Sequence, residues 1–270
     1  MPDALRLALG TLTSIRVPSP EHIDRRTARH GMTLAPLVGL ALGSLAAMVL
    51  DLVRLIAPGT RPQLGVDFVA AALAISALAY LTRGLHLDGL ADTADGMGVK
   101  GSDDTATRAR RLDVMRAPDI GAFGVITVVL TLIIQIAALT LCSVVGAGTV
   151  ALILAVTTSR LAATWCCTPP VRAARADGLG ALVAGAVPIR VAALLTAAVI
   201  ALGVLLGLVD DDRNTRLVVA LVIAAIAGLV VTAFAVRRFV SRFGGVTGDV
   251  MGAAVEICTT VVLVIVAIAA

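Results

Sequence analysis

The sequence predicts an all-α fold: a polytopic membrane helix bundle of about seven transmembrane helices, preceded by an N-terminal amphipathic helix at the membrane interface. Three observations carry this. Of the 270 residues 59% are hydrophobic and 15% charged, with a mean hydropathy of +0.99, whereas soluble domains hold about 25% charged residues to cover a water-facing surface. Apolar runs recur at lengths close to the ~20 residues a helix needs to cross hydrocarbon. Arginine and lysine fall between these runs, heavily biased to alternate loops. Residues 1–270 therefore read as one integral membrane domain, with the lipid bilayer as an expected partner and nucleic acid as none.

In chain order, residues 4–15 place Leu5, Ala8, Leu9 and Leu12 on one helical stripe, with Arg6 and Thr13 off it, until Pro18 and Pro20 end the pattern. This is the pattern of an interfacial helix. No cleaved signal peptide is expected, because residues 1–12 have a short, interrupted apolar run and no small-residue cleavage pattern. A polar link with Arg25, Arg26, Arg29 and His30 leads to the first long run, 33–57. Further runs cover 66–82, 120–145, 149–168, 191–209, 217–236 and 250–270, the third and fourth joined by a tight hairpin at Gly146-Ala147-Gly148. Tyr80 and Trp165 lie near helix ends, where interfacial rings belong. Cys142, Cys166, Cys167 and Cys258 fit neither a zinc site nor a disulfide framework and read as small packing residues. Asp51 and Arg54, one turn apart near the outer end of the first span, are expected to pair structurally.

Orientation follows from the basic residues. Seventeen lie in the N-terminal segment and the even-numbered loops, against Arg61, Arg213 and Arg216 on the other side. This bias puts the N-terminus in the cytoplasm and the C-terminus outside, in the cytoplasmic (inner) membrane.

The stretch Gly84-Leu85-His86-Leu87-Asp88-Gly89-Leu90-Ala91-Asp92-Thr93-Ala94-Asp95-Gly96 concentrates acid at the cytoplasmic mouth of a span. In a helix Asp88, Asp92 and Asp95 stand at i, i+4 and i+7 and share one face. Carboxylates so placed repel one another unless cations neutralise them, and oxygen-only ligands suit a hard divalent ion, Mg²⁺ above all where phosphates are handled. The alternative is a solvated acidic helix terminus. His86 does not share the acid stripe and is a candidate for orienting or accepting a proton.

Arginines could hold the phosphates of such a substrate. Arg116, at the entrance of the third span, is the better candidate in its loop; Arg108, Arg110 and Arg111 read as positive-inside signals. Arg160 interrupts an apolar span about 10 Å from its cytoplasmic end by helical rise. A charge at that depth costs ~2.5 kcal/mol or more and usually marks a site, unless it snorkels. In Gly244-Gly245-Val246-Thr247-Gly248-Asp249, which runs into the seventh span, Asp249 shares a face with Glu256, about 10 Å deeper. These two form a second acidic wall, or Glu256 pairs with Arg160. No known nucleotide-cradling glycine pattern occurs there.

These residues together resemble the adenosylcobinamide-GDP ribazoletransferase (cobalamin synthase) family. The resemblance runs through Pro36-Leu37-Val38-Gly39 with Gly43, the block His86 to Gly96, Met115-Arg116 with Gly121 and Gly124, Ser159-Arg160, Gly178-Leu179-Gly180, and Gly244 to Asp249 with Gly252, Ala253 and Glu256. One departure is plain. The family usually follows Met-Arg with Asp-Ser, whereas Ala117 and Pro118 stand here and the acid comes at Asp119, which leaves any role of that family Asp in doubt. The resemblance implies an enzyme of the last stage of cobalamin biosynthesis. It would join α-ribazole, or its 5′-phosphate, to adenosylcobinamide-GDP with release of GMP and dependence on Mg²⁺, with other nucleotide-loop assembly enzymes as partners. Asp88, Asp92 and Asp95 would then bridge the diphosphate through the metal, Arg116, Arg160 or Arg175 would neutralise the GMP leaving group, and an acid of the cluster or His86 would take the proton of the attacking hydroxyl. Two other readings stand beside it. A CDP-alcohol phosphatidyltransferase would carry Arg, not Asp92, after Ala91. An ion-coupled transporter would place its acids near the bilayer midplane.

Overall fold

A computed structural model of the protein describes residues 1–57, 64–102, 104–209 and 215–270. Arg61 and Arg213, counted above on the sparsely charged side, lie outside the described residues. Twelve helices occur among these residues: α1 Asp3–Leu12, α2 Arg25–Thr33, α3 Ala35–Ile56, α4 Leu64–Leu81, α5 Leu85–Gly98, α6 Thr105–Val114, α7 Ala122–Val144, α8 Gly148–Cys166, α9 Gly178–Val183, α10 Ile189–Val209, α11 Thr215–Phe243 and α12 Gly248–Ala269. Seven are long and apolar enough to cross a membrane: α3 together with α2, then α4, α7, α8, α10, α11 and α12. They coincide with the seven runs of the sequence, and the protein is a multi-pass helical membrane bundle. Lipid-like surroundings leave only such closed backbone arrangements available, since an unpaired peptide group in hydrocarbon costs several kcal/mol.

Burial sorts the spans. In α8, 78% of the most apolar stretch is buried inside the bundle, against 22% in α10, so α8 is the central helix and α10 faces lipid. Close packing of α3 on α8 needs small residues: a Cβ on Gly39 would stand 2.7 Å from the Val156 carbonyl oxygen. Helices in lipid associate through such close backbone approach, because no hydrophobic force separates them from the solvent around them. The four cysteines are buried and free, as expected of packing residues. Trp165 donates from Nε1 to Thr196 Oγ1 at 3.0 Å, and Tyr80 is largely exposed.

Two expectations are refined. In α1 the buried residues are Leu7, Ala8 and Leu12 rather than the full stripe Leu5, Ala8, Leu9 and Leu12. The helix packs on α2, which rotates its inward face by about one residue. Arg54 does approach Asp51, at 3.8 Å, but its nearer acidic partner is the buried Asp67 of α4, 2.9 Å from Nε, and its Nη2 donates to the Ser143 carbonyl at 3.0 Å. Asp51 in turn accepts from Thr149 Oγ1. This network ties α3, α4, α7 and α8 at the end of the bundle away from the acid block.

Removing one partner of a buried ion pair strands the other charge, at a cost of about 3 kcal/mol. Asp67→Asn should therefore lower the thermal unfolding temperature of the detergent-purified protein clearly. Asp51→Asn, whose side chain is 48% exposed, should lower it much less.

Candidate active site

The acid block folds as α5, a short helix separate from the spans on either side. Arg83 and Gly84 take left-handed backbone angles, φ 54° and 66°, which end α4 and redirect the chain. Helix α5 then lies against α7 and α12. Its contact with α12 is backbone on backbone: a Cβ on Gly89 would come within 2.8 Å of the Asp249 carbonyl oxygen, and one on Gly252 within 3.2 Å of His86 Cα. Asp88 and Asp249 therefore stand on one cavity. These glycines explain how the two acidic walls, remote in sequence, meet.

The glycine-rich loop before α12 is fixed in the same way. Ala174 N–H donates to the Val246 carbonyl at 3.0 Å and Val246 N–H to the Arg172 carbonyl at 2.8 Å, a parallel bridge between the loop after α8 and the loop before α12. A side chain on Gly245 would collide with this partner strand, 2.5 Å from the Ala173 carbonyl carbon. Thr247 Oγ1 then accepts from Val250 N–H and caps α12.

Two cavities open at this end. One, about 260 Å³, lies between α1, α2, α5, α9 and α12 and includes His86, Asp88 and Asp249 among its walls. The other, about 410 Å³, is lined by Asp113, Arg116, Arg175 and Asp177 with alanine and leucine of α6. Arg175 belongs to the second cavity yet reaches toward the first, its Nη1 3.8 Å from Asp249 Oδ2 while Nη2 donates to the Leu112 carbonyl at 2.8 Å. Arg116 pairs with Asp177 at the rim.

Burial, then the charges of Asp88, Asp249 and Asp95, push the Asp92 carboxyl up to about 7, with Arg175 pulling the other way. His86 is shifted well below the usual histidine range, first by burial and then by Arg160 behind it. Its ring is neutral at physiological pH, and buried Nδ1 has no hydrogen-bond partner. Asp95 is placed differently from its two neighbours. Its Oδ2 accepts from Gly121 N–H at 2.8 Å and its Oδ1 from Gly124 N–H at 2.9 Å, so it holds the first turn of α7.

Arg160 and Glu256 are not among the described residues lining either cavity. Arg160 is 1% exposed and donates from Nη1 to Ser159 Oγ. Glu256 accepts from Gln135 Nε2 at 2.9 Å. Both are behind the site, Arg160 acting on His86. Sequence reasoning missed Gln135, Asp177, Thr11, Met32 and Leu179. Gln135, alone in an apolar run, was the one with a readable signal.

Whether these residues suit a divalent cation can be judged from the donors. They are carboxylate oxygens whose repulsion already shows in the raised Asp92, which is the chemistry a hard cation satisfies. They are spread along a wall: among the described residues no three His, Cys, Asp or Glu side chains are gathered as a ready metal cage. Asp88 and Asp92, faced by Asp249, fit best. Asp95 has only its remaining lone pairs to give.

Fold and site define a class, a multi-pass helical membrane protein with facing carboxylates and arginines at one end of its bundle. The chain belongs to the cobalamin-5-phosphate synthase family, whose pattern matches residues 4–267, and it is accordingly a transferase of cobalamin biosynthesis. It is similar to proteins named adenosylcobinamide-GDP ribazoletransferase from Frankia casuarinae, 43% identical over 97% of this chain and 93% of that protein, and from a Nocardioides species, 42% identical over 97% of each. The one from Stutzerimonas stutzeri is 35% identical over 96% of each chain. No solved structure matches the chain.

Because Asp92 binds its proton more tightly folded than unfolded, it stabilises the fold below about pH 4, and this contribution is lost as pH rises through about 7. Without divalent cations the unfolding temperature of the wild type should therefore fall across that interval relative to Asp92→Asn. Added Mg²⁺ should restore it above pH 7. Parallel pH profiles for the two proteins with and without Mg²⁺ would check this.

Proposed function

We propose that the protein joins α-ribazole, or α-ribazole 5′-phosphate, to adenosylcobinamide-GDP and releases GMP, at the cytoplasmic face of the inner membrane. The observation that carries this is the meeting of the α5 and α12 carboxylates on one cavity, beside an arginine-lined one. The first suits an alcohol that must lose a proton. The second suits a departing nucleotide.

In this reading the attacking ribose hydroxyl lies against Asp88, Asp249 and His86. Its oxygen forms a bond to the cobinamide-side phosphorus as the bond from that phosphorus to the GMP oxygen breaks. The hydroxyl proton passes to one of these acceptors, the carboxylates by charge or His86 by its free lone pair. Arg175 stands where it can reach both the reacting centre and the leaving group, and Arg116 extends that cation along the rim. The apolar lining at Leu12, Met32 and Val255 disfavours water as the acceptor, so that the cobinamide-side phosphoryl group passes to the hydroxyl rather than to water. Mg²⁺ held by Asp88 and Asp92, with Asp249 opposite, would neutralise diphosphate charge. Glu256 supports the site through the α7–α12 contact with Gln135, and Arg160 through its charge behind His86. The N-terminus would be cytoplasmic and the C-terminus outside, which puts the acid block where nucleotides and magnesium are available. A transporter would need its acids near the midplane, whereas α5 lies outside the spans.

The test is GMP release by the purified protein in lipid nanodiscs, given adenosylcobinamide-GDP and either acceptor. Release should require both substrates and Mg²⁺ and stop with EDTA. Asp88→Asn and Asp92→Asn should each reduce turnover by about 10²-fold or more, the scale of losing one transition-state electrostatic contact, with unchanged insertion and yield. Near-normal turnover in Asp92→Asn would sink the metal assignment, and substrate uptake into proteoliposomes without GMP release would favour a transporter.

A further inference from the structure

We propose that the cavity of about 260 Å³ is the seat of the acceptor nucleoside, base inward, and that its wall selects an apolar benzimidazole-type base over a purine. The inference rests on the transferase reading above and adds to it a location and a basis for choice.

Volume decides between the two substrates. Pockets that enclose drug-sized molecules run from about 300 to 1,000 Å³, and this cavity, at about 260 Å³, lies just below that range. A corrin macrocycle cannot enter it. A single nucleoside can.

The lining then orients that nucleoside. Leu12 of α1, Met32 of α2, Leu179 of α9 and Val255 of α12 make an apolar wall. Asp88 and Asp249 mark the polar side, and the ribose belongs there because its hydroxyl must meet the diphosphate beside these acids. The base is left against Leu12, Met32, Leu179 and Val255. Among the described lining residues none is Asn, Gln, Arg or Lys, so nothing at that wall pairs with the exocyclic amino group and ring nitrogens of a purine. Each such group buried there loses its hydrogen bonds to water with nothing in exchange. A fused benzene ring carries no such groups.

One buried polar atom does await a partner. His86 is 5% exposed, lines the cavity, and leaves Nδ1 without a hydrogen bond. That nitrogen can make one hydrogen bond to the nucleoside, which fixes its depth. The hydroxyl of Thr11, also on this cavity, already donates to the Leu7 carbonyl at 2.7 Å.

Steady-state kinetics of GMP release in nanodiscs, varying each substrate in turn, tests this. Wild-type protein should prefer α-ribazole over the α-riboside of adenine by about 10- to 100-fold in kcat/KM, the range a hydrophobic pocket achieves against an added polar group. Thr11→Phe, which fills the cavity from a partly exposed helix, should raise the KM for α-ribazole about tenfold with the donor KM within twofold. Leu179→Asn, also partly exposed, should narrow the preference for α-ribazole over the adenine riboside. Variants that raise the donor KM instead, or that move neither KM nor the preference, overturn the inference while leaving the transferase reading intact. A wild type that releases no GMP with any acceptor overturns both.

Discussion

Contact between the backbones of α5 and α12 is the constraint on which the active end depends. It brings Asp249 of one helix and Asp88 of the other to the same cavity, and it exists only because positions 89 and 252 carry no side chain. Any Cβ at Gly89 would push against the Asp249 main chain and separate two carboxylates that the proposed reaction uses together. The proximity has an electrostatic cost that appears at Asp92, whose proton is held to about pH 7 by burial and by neighbouring acids. A carboxyl perturbed in this way is common where carboxylates do chemistry, and it agrees with the cation proposed for this site. The strain is local, since the nearby Arg175 offsets it only in part.

Much of this was legible in the residues. Seven spans follow from composition and run length, because the bilayer accepts little else. The shared face of Asp88 and Asp92 follows from helical period. What periodicity could not supply was the third dimension. Asp95 lies on the same stripe as Asp88 and Asp92, yet α7 begins beside it and takes up both its oxygens. Glu256 shares a face with Asp249, but two turns of rise carry it past the cavity to Gln135. Asp67, in a different run from Arg54, could not be read as its partner from local spacing. In each case the deciding neighbour comes from a helix distant in sequence.

The two cavities also differ in their lining in a way that one acid motif did not suggest. Carboxylates and a histidine with an unpartnered Nδ1 line the smaller; two arginines and two aspartates line the larger. Arg175 and Asp249 face each other across the boundary. The bridge between the loops at Ala173 and Val246 holds this boundary in place, and Gly245 of the loop before α12 is the residue whose lack of a side chain permits it.

Asp95 carries a lesson for reading genetics at this locus. Its carboxylate is the N-terminal cap of a membrane span to which it does not belong, so the start of α7 is specified by a residue on another helix. A screen scored by growth alone would place a lesion at 95 beside lesions at 88 and 92 and count three equivalent positions. On the proposed chemistry two of those phenotypes would report the reaction, and the third would report a helix that no longer begins where its neighbour expects it.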